Sequence, residues 1–184
     1  STGVLDYARE TPLEEALAGL EVPVRRVHAP RVGGVGAEVL DLVLGGVRVT
    51  LLPTASSRVE RSPNRAEAAT FLDLAEQAID RFRPDVMLTY GGHPANRELM
   101  RRARERGVAT VFHLHNFAYD DRRVFSDCAT VLVPTDYARR YYARRLDLAC
   151  TALELPLNRA RVVAADPEPR YLTCVNPVPA KGLP

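Results

Sequence analysis

Residues 83–117, RPDVMLTYGGHPANRELMRRARERGVATVFHLHNF, alternate between the two-residue period of a strand and the longer period of a helix. Strand, tight turn, helix and strand in that order demand a layered α/β arrangement, because each apolar face must be covered by another element. Val86–Tyr90 is the first strand and Gly91-Gly92-His93 the turn. Pro94 suits the first helical turn, where its missing N–H costs nothing. The helix sets Leu99, Met100 and Ala103 on one side and stops at Gly107, with Glu98–Arg102 and Arg101–Glu105 paired four apart on the other. Val108–Phe112 then runs into a polar cluster, His113-Leu114-His115-Asn116. In open α/β sheets ligands sit at the carboxyl ends of strands, where rigid elements aim the loops.

The flanking segments extend the same pattern. Residues 11–20 have helical spacing after Thr11-Pro12, and Val22–His28 is a short strand. A further strand is expected to precede Ser1. Residues 38–53 hold two β-rich runs joined by Gly45-Gly46, a two-residue hairpin signal, since both central residues need positive φ. Gly33-Gly34-Val35-Gly36 is read as a flexible loop; a phosphate cradle there has to open a helix, and β-rich residues follow instead. Asn64–Phe82 is an amphipathic helix with Ala68, Phe71, Leu72, Ala75, Ala78, Ile79 and Phe82 on its apolar face. After His115 come a helical stretch over Tyr119–Phe125, a strand at Ala129–Val133, and a helix from Thr135, its N-cap, to about Leu146. Leu153–Pro156 is a further short strand, Asp166–Pro169 an extended linker and Tyr171–Val175 a new strand. Strands alternating with helices at this spacing give an α/β fold, a Rossmann-like parallel sheet flanked by helices with right-handed crossovers.

Composition narrows the class without naming a function. At 184 residues, 46% hydrophobic and 26% charged, the chain is an ordinary globular domain. A net charge of +2 creates no strong field for nucleic acid. Lys181 is the only lysine, an arginine bias expected of a GC-rich genome. Cys128, Cys150 and Cys174 are odd in number and widely spaced, which speaks for reduced thiols in a cytoplasmic protein and against a zinc site or disulfide framework. No apolar run reaches the roughly 18 residues of a membrane span, and no signal peptide is recognisable. A start at Ser1 without methionine suggests a processed or excised segment.

Four histidines carry the chemistry the sequence offers. His113 and His115 fall on the same side of their strand, and an imidazole can donate, accept or shuttle a proton near neutral pH. His93 stands at the matching place after the preceding strand, either lining the cleft or capping the next helix. His28 has no such context. Three protein ligands are usual for catalytic zinc, and no carboxylate stands at a useful spacing from these histidines. No nucleophile elbow, Walker A loop or facing pair of catalytic carboxylates is present. Asp120-Asp121 are adjacent and read as a solvated turn. Arg139, Arg140, Arg144 and Arg145, with Tyr141 and Tyr142 between the pairs, suit an anionic membrane surface or a phosphate-bearing acceptor. The plainer reading, which we adopt, is a charged outer face with both tyrosines partly buried.

Three segments, in order and at plausible separation, resemble GT-B glycosyltransferases of the large retaining family 4 (group 1). VATVFHLHNF looks like that family's strand ending in Leu-His-Asp. TVLVPTDYARRYY is similar to its strand, Pro-Ser and helix, and YLTCVNPVPAKGL to the entry of its second domain, commonly Gly-Arg-Leu-x-Pro-x-Lys-Gly. The resemblance covers roughly residues 84–184. It implies an acceptor-side Rossmann-like domain over 1–166, with 167–184 as linker and first strand of a truncated donor-binding domain. It also implies sugar transfer from a nucleotide-diphosphate donor to an acceptor hydroxyl, with no cofactor and no obligatory metal.

By the same resemblance His115 approaches the donor sugar as the catalytic-site histidine, and Lys181 holds the donor diphosphate. His93 and Asn116 are weaker lining positions. Asn116 stands where aspartate is usual, and Asn176 replaces the arginine five residues before the lysine. The glycine-rich loop of the family's first strand is not recognisable, and no two glutamates have the Glu-x7-Glu spacing of its second domain. The segment alone is therefore expected to be inactive without its missing C-terminal domain. Two rivals stay open: another GT-B enzyme such as a sugar-nucleotide 2-epimerase, and a non-catalytic flavodoxin-like binding module.

Overall fold

The computed structural model describes residues 17–19, 21–31, 34–54 and 63–154. The chain divides into two units, Ser1–Leu153 and Glu154–Pro184, and all described residues except Glu154 belong to the first. The expected linker at Asp166–Pro169, the strand at Tyr171–Val175, Cys174, Asn176 and Lys181 lie outside the described residues, as does the boundary at 166.

An antiparallel sheet comes first in the chain. Strands β1 (Arg25–Arg31), β2 (Gly34–Leu44) and β3 (Val47–Leu51) pair in that order. The β2–β3 turn is the Gly45-Gly46 hairpin, with φ of 56° and 81°. Both values lie in the left-handed region that glycine enters without a Cβ penalty. Leu17, which is helical, packs with Leu40 and Leu42 on one side of this sheet. Two expectations change here. Gly34-Val35-Gly36 is not a loop but the start of β2, with Gly34 paired to Arg31. The first strand begins at Arg25 rather than Val22 and runs on to Arg31.

The second half is the α/β layer. Helix α1 (Arg65–Phe82) leads to β4 (Val86–Thr89), α2 (Pro94–Glu105) and β5 (Ala109–His113). A 3-10 turn (Arg122–Phe125), β6 (Thr130–Val133), α3 (Asp136–Leu146) and β7 (Thr151–Ala152) follow. The four strands form one parallel sheet in the order β4-β5-β6-β7, so this is an α/β fold with a Rossmann-like parallel sheet flanked by helices. Sequential order with every pair parallel requires a crossover between each pair of neighbours, and right-handed crossovers are the rule. The expected strand at Leu153–Pro156 is realised two residues earlier and shorter; Leu153 still donates its N–H to the Val133 carbonyl.

Helix ends follow local chemistry. Asn64 caps α1 by accepting from the N–H groups of Ala66 and Glu67, while Glu67 accepts from the Asn64 N–H, a reciprocal capping box. Thr135 caps α3 through Ala138. The apolar face of α1 is narrower than its periodicity suggests: Leu72 and Ile79 are buried, whereas Ala78 is exposed and Phe82 is 82% exposed. Ile79 is the last residue of this face to be buried, and Phe82, at the helix end, is left to solvent. Leu72 and Ile79 meet Leu99, Ala103 and Val108, joining α1 to α2. Glu76 ties the same helices by ion pairs to Arg102 (3.2 Å) and Arg106 (2.9 Å). The main core gathers Met100, Phe112, Leu114, Phe125, Val131, Val133 and Tyr142 on one face of the sheet.

Candidate functional site

The carboxyl ends of β4 and β5 meet in two adjoining loops. After β4 the chain turns through Tyr90-Gly91-Gly92-His93. Gly91 has φ 89°, and Asn96 fixes the turn by donating its side-chain N–H to the carbonyls of Tyr90 (2.7 Å) and Gly91 (3.2 Å). A Cβ on Gly92 would stand 2.9 Å from Cε1 of Tyr119, so the loop after β5 reaches across and closes on this glycine. Pro94 opens α2, and His93 caps it: its Nδ1 accepts from the Ala95 N–H at 3.1 Å. One nitrogen of His93 is thereby committed to the helix.

After β5 the strand's alternation persists far enough to sort the cluster. Leu114 is buried on the core side, with its N–H donated to the Leu132 carbonyl at 2.8 Å. His113 and His115 therefore share the opposite side, and their ring centroids are 3.9 Å apart at a 46° tilt. Tyr90 meets the His115 ring edge-on at 6.3 Å. Because β4 and β5 are parallel neighbours, the two-residue period that exposes Val86 and Leu88 delivers Tyr90 to the same side as the imidazoles.

The electrostatics of the pair are unequal. His113 Nε2 is buried and has no hydrogen-bond partner among the described residues. Burial first, and then the charge of His115, push its pKa below the ordinary histidine value of 6.5. His115 itself is exposed.

The remaining expected positions separate. Asn116 is spent on its own backbone: its Oδ1 accepts from the Ala118 N–H at 3.1 Å. Its carbonyl accepts from the buried Tyr142 hydroxyl at 2.6 Å, which pins the loop to α3. His28 stands in β1, opposite Glu38, in the other sheet. Lys181 lies outside the described residues. Cys128 is half-buried against Met100, with its thiol pushed up to about 11 by burial and then by Asp127, and Cys150 is likewise raised by burial. Neither is poised as a nucleophile. No group of three or more His, Cys, Asp or Glu side chains able to hold a metal occurs among the described residues. No described helix is long and apolar enough to cross a membrane.

Two aromatic residues of the site were not singled out by sequence reasoning. Tyr90 was legible in principle, because it continues the alternation of Val86 and Leu88 into the loop. Tyr119 had no such signal, since its place depends on the contact with Gly92. Two hollows bordered by described residues lie elsewhere. One, of about 340 Å³, runs along Tyr137, Arg140, Tyr141, Arg144 and Arg145. The other, of about 290 Å³, lies where Glu38, Pro53, Asn64 and Thr70 approach. We place the candidate site at the histidines regardless, because convergent polar groups at a strand-end crevice carry chemistry that an open hollow does not.

No protein-family model, no curated protein and no solved structure matches this chain. Its site therefore rests on its own geometry, two apposed imidazoles and a tyrosine at the carboxyl edge of a parallel sheet.

Proposed function

We propose that this chain is the acceptor-side domain of a GT-B glycosyltransferase of family 4 type, acting in the cytoplasm. The parent reaction transfers a sugar from a nucleotide-diphosphate donor to an acceptor hydroxyl. The observation that carries the reading is the His113–His115 pair at the β5 carboxyl end, 3.9 Å ring to ring. It supports a sugar contact because a neutral imidazole offers one donor and one acceptor, the pattern a sugar hydroxyl needs. In this reading His115 faces the donor sugar and Tyr90 borders it. Lys181 neutralises the donor diphosphate as a point charge. His93 and Asn116 act through the loop backbone, the first by capping α2 and the second by holding the turn before Ala118.

Transfer needs both substrates enclosed, and one wall of a cleft does not enclose them. The test is turnover and calorimetric binding of a panel of nucleotide-diphosphate sugars by the 184 residues and by a longer chain that adds a donor-side domain. Turnover by the longer chain alone, lost in H115A, is the expected result. Turnover by the 184 residues overturns the half-site reading, and no binding by either overturns the transferase.

A second reading, a non-catalytic flavodoxin-like binding module, draws support from the apolar side chains exposed along β4. Val86 is 55% and Leu88 64% exposed. It expects no nucleotide-sugar binding by either chain. A sugar-nucleotide 2-epimerase shares the same architecture and is separated by its product, an epimerised sugar without an acceptor.

A further inference from the structure

Helix α3 turns an aromatic and basic side to solvent. Tyr137, Arg140, Tyr141, Arg144 and Arg145 recur at three- and four-residue steps, so they lie along one side of the helix. Tyr142 turns inward and is fully buried. Phe117, from the loop after β5, extends this side: its ring stands 5.8 Å from that of Tyr137 and 4.8 Å from that of Tyr141. Phe117 and Tyr137 are 49% and 64% exposed.

The charges on α3 are not all balanced. Asp136 forms ion pairs with Arg139 (2.6 Å) and Arg140. At the other end Asp147 pairs with Arg122 at 2.9 Å. Arg144 and Arg145 have no acidic partner among the described residues. A solubilising outer face accounts for the arginines held by Asp136. It does not account for a cluster of exposed aromatic rings set beside unpaired guanidinium groups.

We propose that this side of α3, together with Phe117, docks on an anionic membrane surface. Guanidinium groups match lipid phosphates as forked donors, while tyrosine and phenylalanine rings settle at the boundary between headgroups and acyl chains. The extent of the face favours a surface over one bound phosphate. Eight residues separate Tyr137 from Arg145, about 12 Å along a helix axis. The docking is peripheral, because no described helix is long and apolar enough to span a bilayer. The docking requires no donor, although Phe117 belongs to the same loop as His115 and Asn116.

The test is co-sedimentation of the full 184-residue chain with vesicles of phosphatidylcholine alone and of phosphatidylcholine mixed with phosphatidylglycerol. Binding is expected only to the mixed vesicles, and it weakens as salt screens the arginines. The double variant R144Q/R145Q is expected to lower the partition by about 30-fold. The double variant F117S/Y137S is expected to weaken it as well, with the far-ultraviolet circular dichroism of both variants unchanged. Absence of binding to mixed vesicles overturns the proposal. So does binding that loses its dependence on Phe117 and Tyr137 while keeping that on the arginines, which marks a purely ionic contact with a polyanion such as RNA.

Discussion

The parallel sheet has two unlike faces. On one, Thr110, Phe112, Leu114, Val131 and Val133 are buried beneath α2, the 3-10 turn and α3. On the other, Val86 and Leu88 of β4 stand more than half exposed, and the same parity carries Tyr90, His113 and His115. A strand buried on both faces reads as a continuous apolar run, and β5 with Ala-Thr-Val-Phe-His comes close to one. The two faces are nevertheless put to different uses. The covered face supplies cohesion, and the open face carries the groups left available to other molecules. Strand β5 serves both at once, because its two-residue period sends Phe112 and Leu114 one way and the imidazoles the other.

The largest effect is expected on the covered face. Phe112 is fully buried, with rings of Phe125 and Tyr119 edge-on at 5.1 and 5.7 Å. Phe112→Ala should cost about 3–5 kcal/mol of unfolding free energy, measured by urea denaturation. A loss below about 1 kcal/mol would mean that this face is not the core.

His113 gives a smaller effect, and one that depends on pH. Its folded pKa is held below 6.5 by burial and by His115, so the unfolded chain binds the proton more readily. The stability it contributes is fully present above about pH 6.5 and is lost as pH falls toward the folded pKa. In H113N, which has no such proton, the fall in the urea midpoint between about pH 7.5 and about pH 5 should flatten. An equally steep fall in H113N would place the imidazole in open solvent.

The smallest effect belongs to the open face. Leu88→Ser removes a side chain that is already 64% exposed and should shift stability by no more than about 0.5 kcal/mol. A loss several times larger would show that something covers β4.

Much of this contrast was legible in the sequence, and the losses have physical causes. The Gly45-Gly46 hairpin, the Thr135 cap, the end of α2 before Gly107 and the Glu98–Arg102 and Arg101–Glu105 pairs depend on neighbours within a few residues, and all are present. Gly34–Gly36 misled because glycine has no side chain and hence no period, so nothing in the sequence announced that β2 begins there. Phe82 misled because periodicity reports which side of a helix is apolar, not how far the surface beneath it extends. On α3 the four arginines looked equivalent, yet Asp136 reaches only those within one helical turn and leaves Arg144 and Arg145 without an acidic partner among the described residues. In the site, the pairing of His113 with His115 followed from strand parity. The contact between Gly92 and Tyr119 joins two separate loops, and no local pattern encodes it.

Asn96 and Tyr142 anchor the loop backbones around the histidines, but no described side chain or carbonyl takes a hydrogen bond from either imidazole. A carbonyl or carboxylate that accepts from one ring nitrogen ordinarily locks a histidine into one tautomer. The exposed His115 ring is not locked, so its proton can sit on Nδ1 or Nε2 without breaking a bond to the protein. His115 can thus meet a hydroxyl as donor or acceptor as the visitor requires, and the cost is the freedom it surrenders once the choice is made.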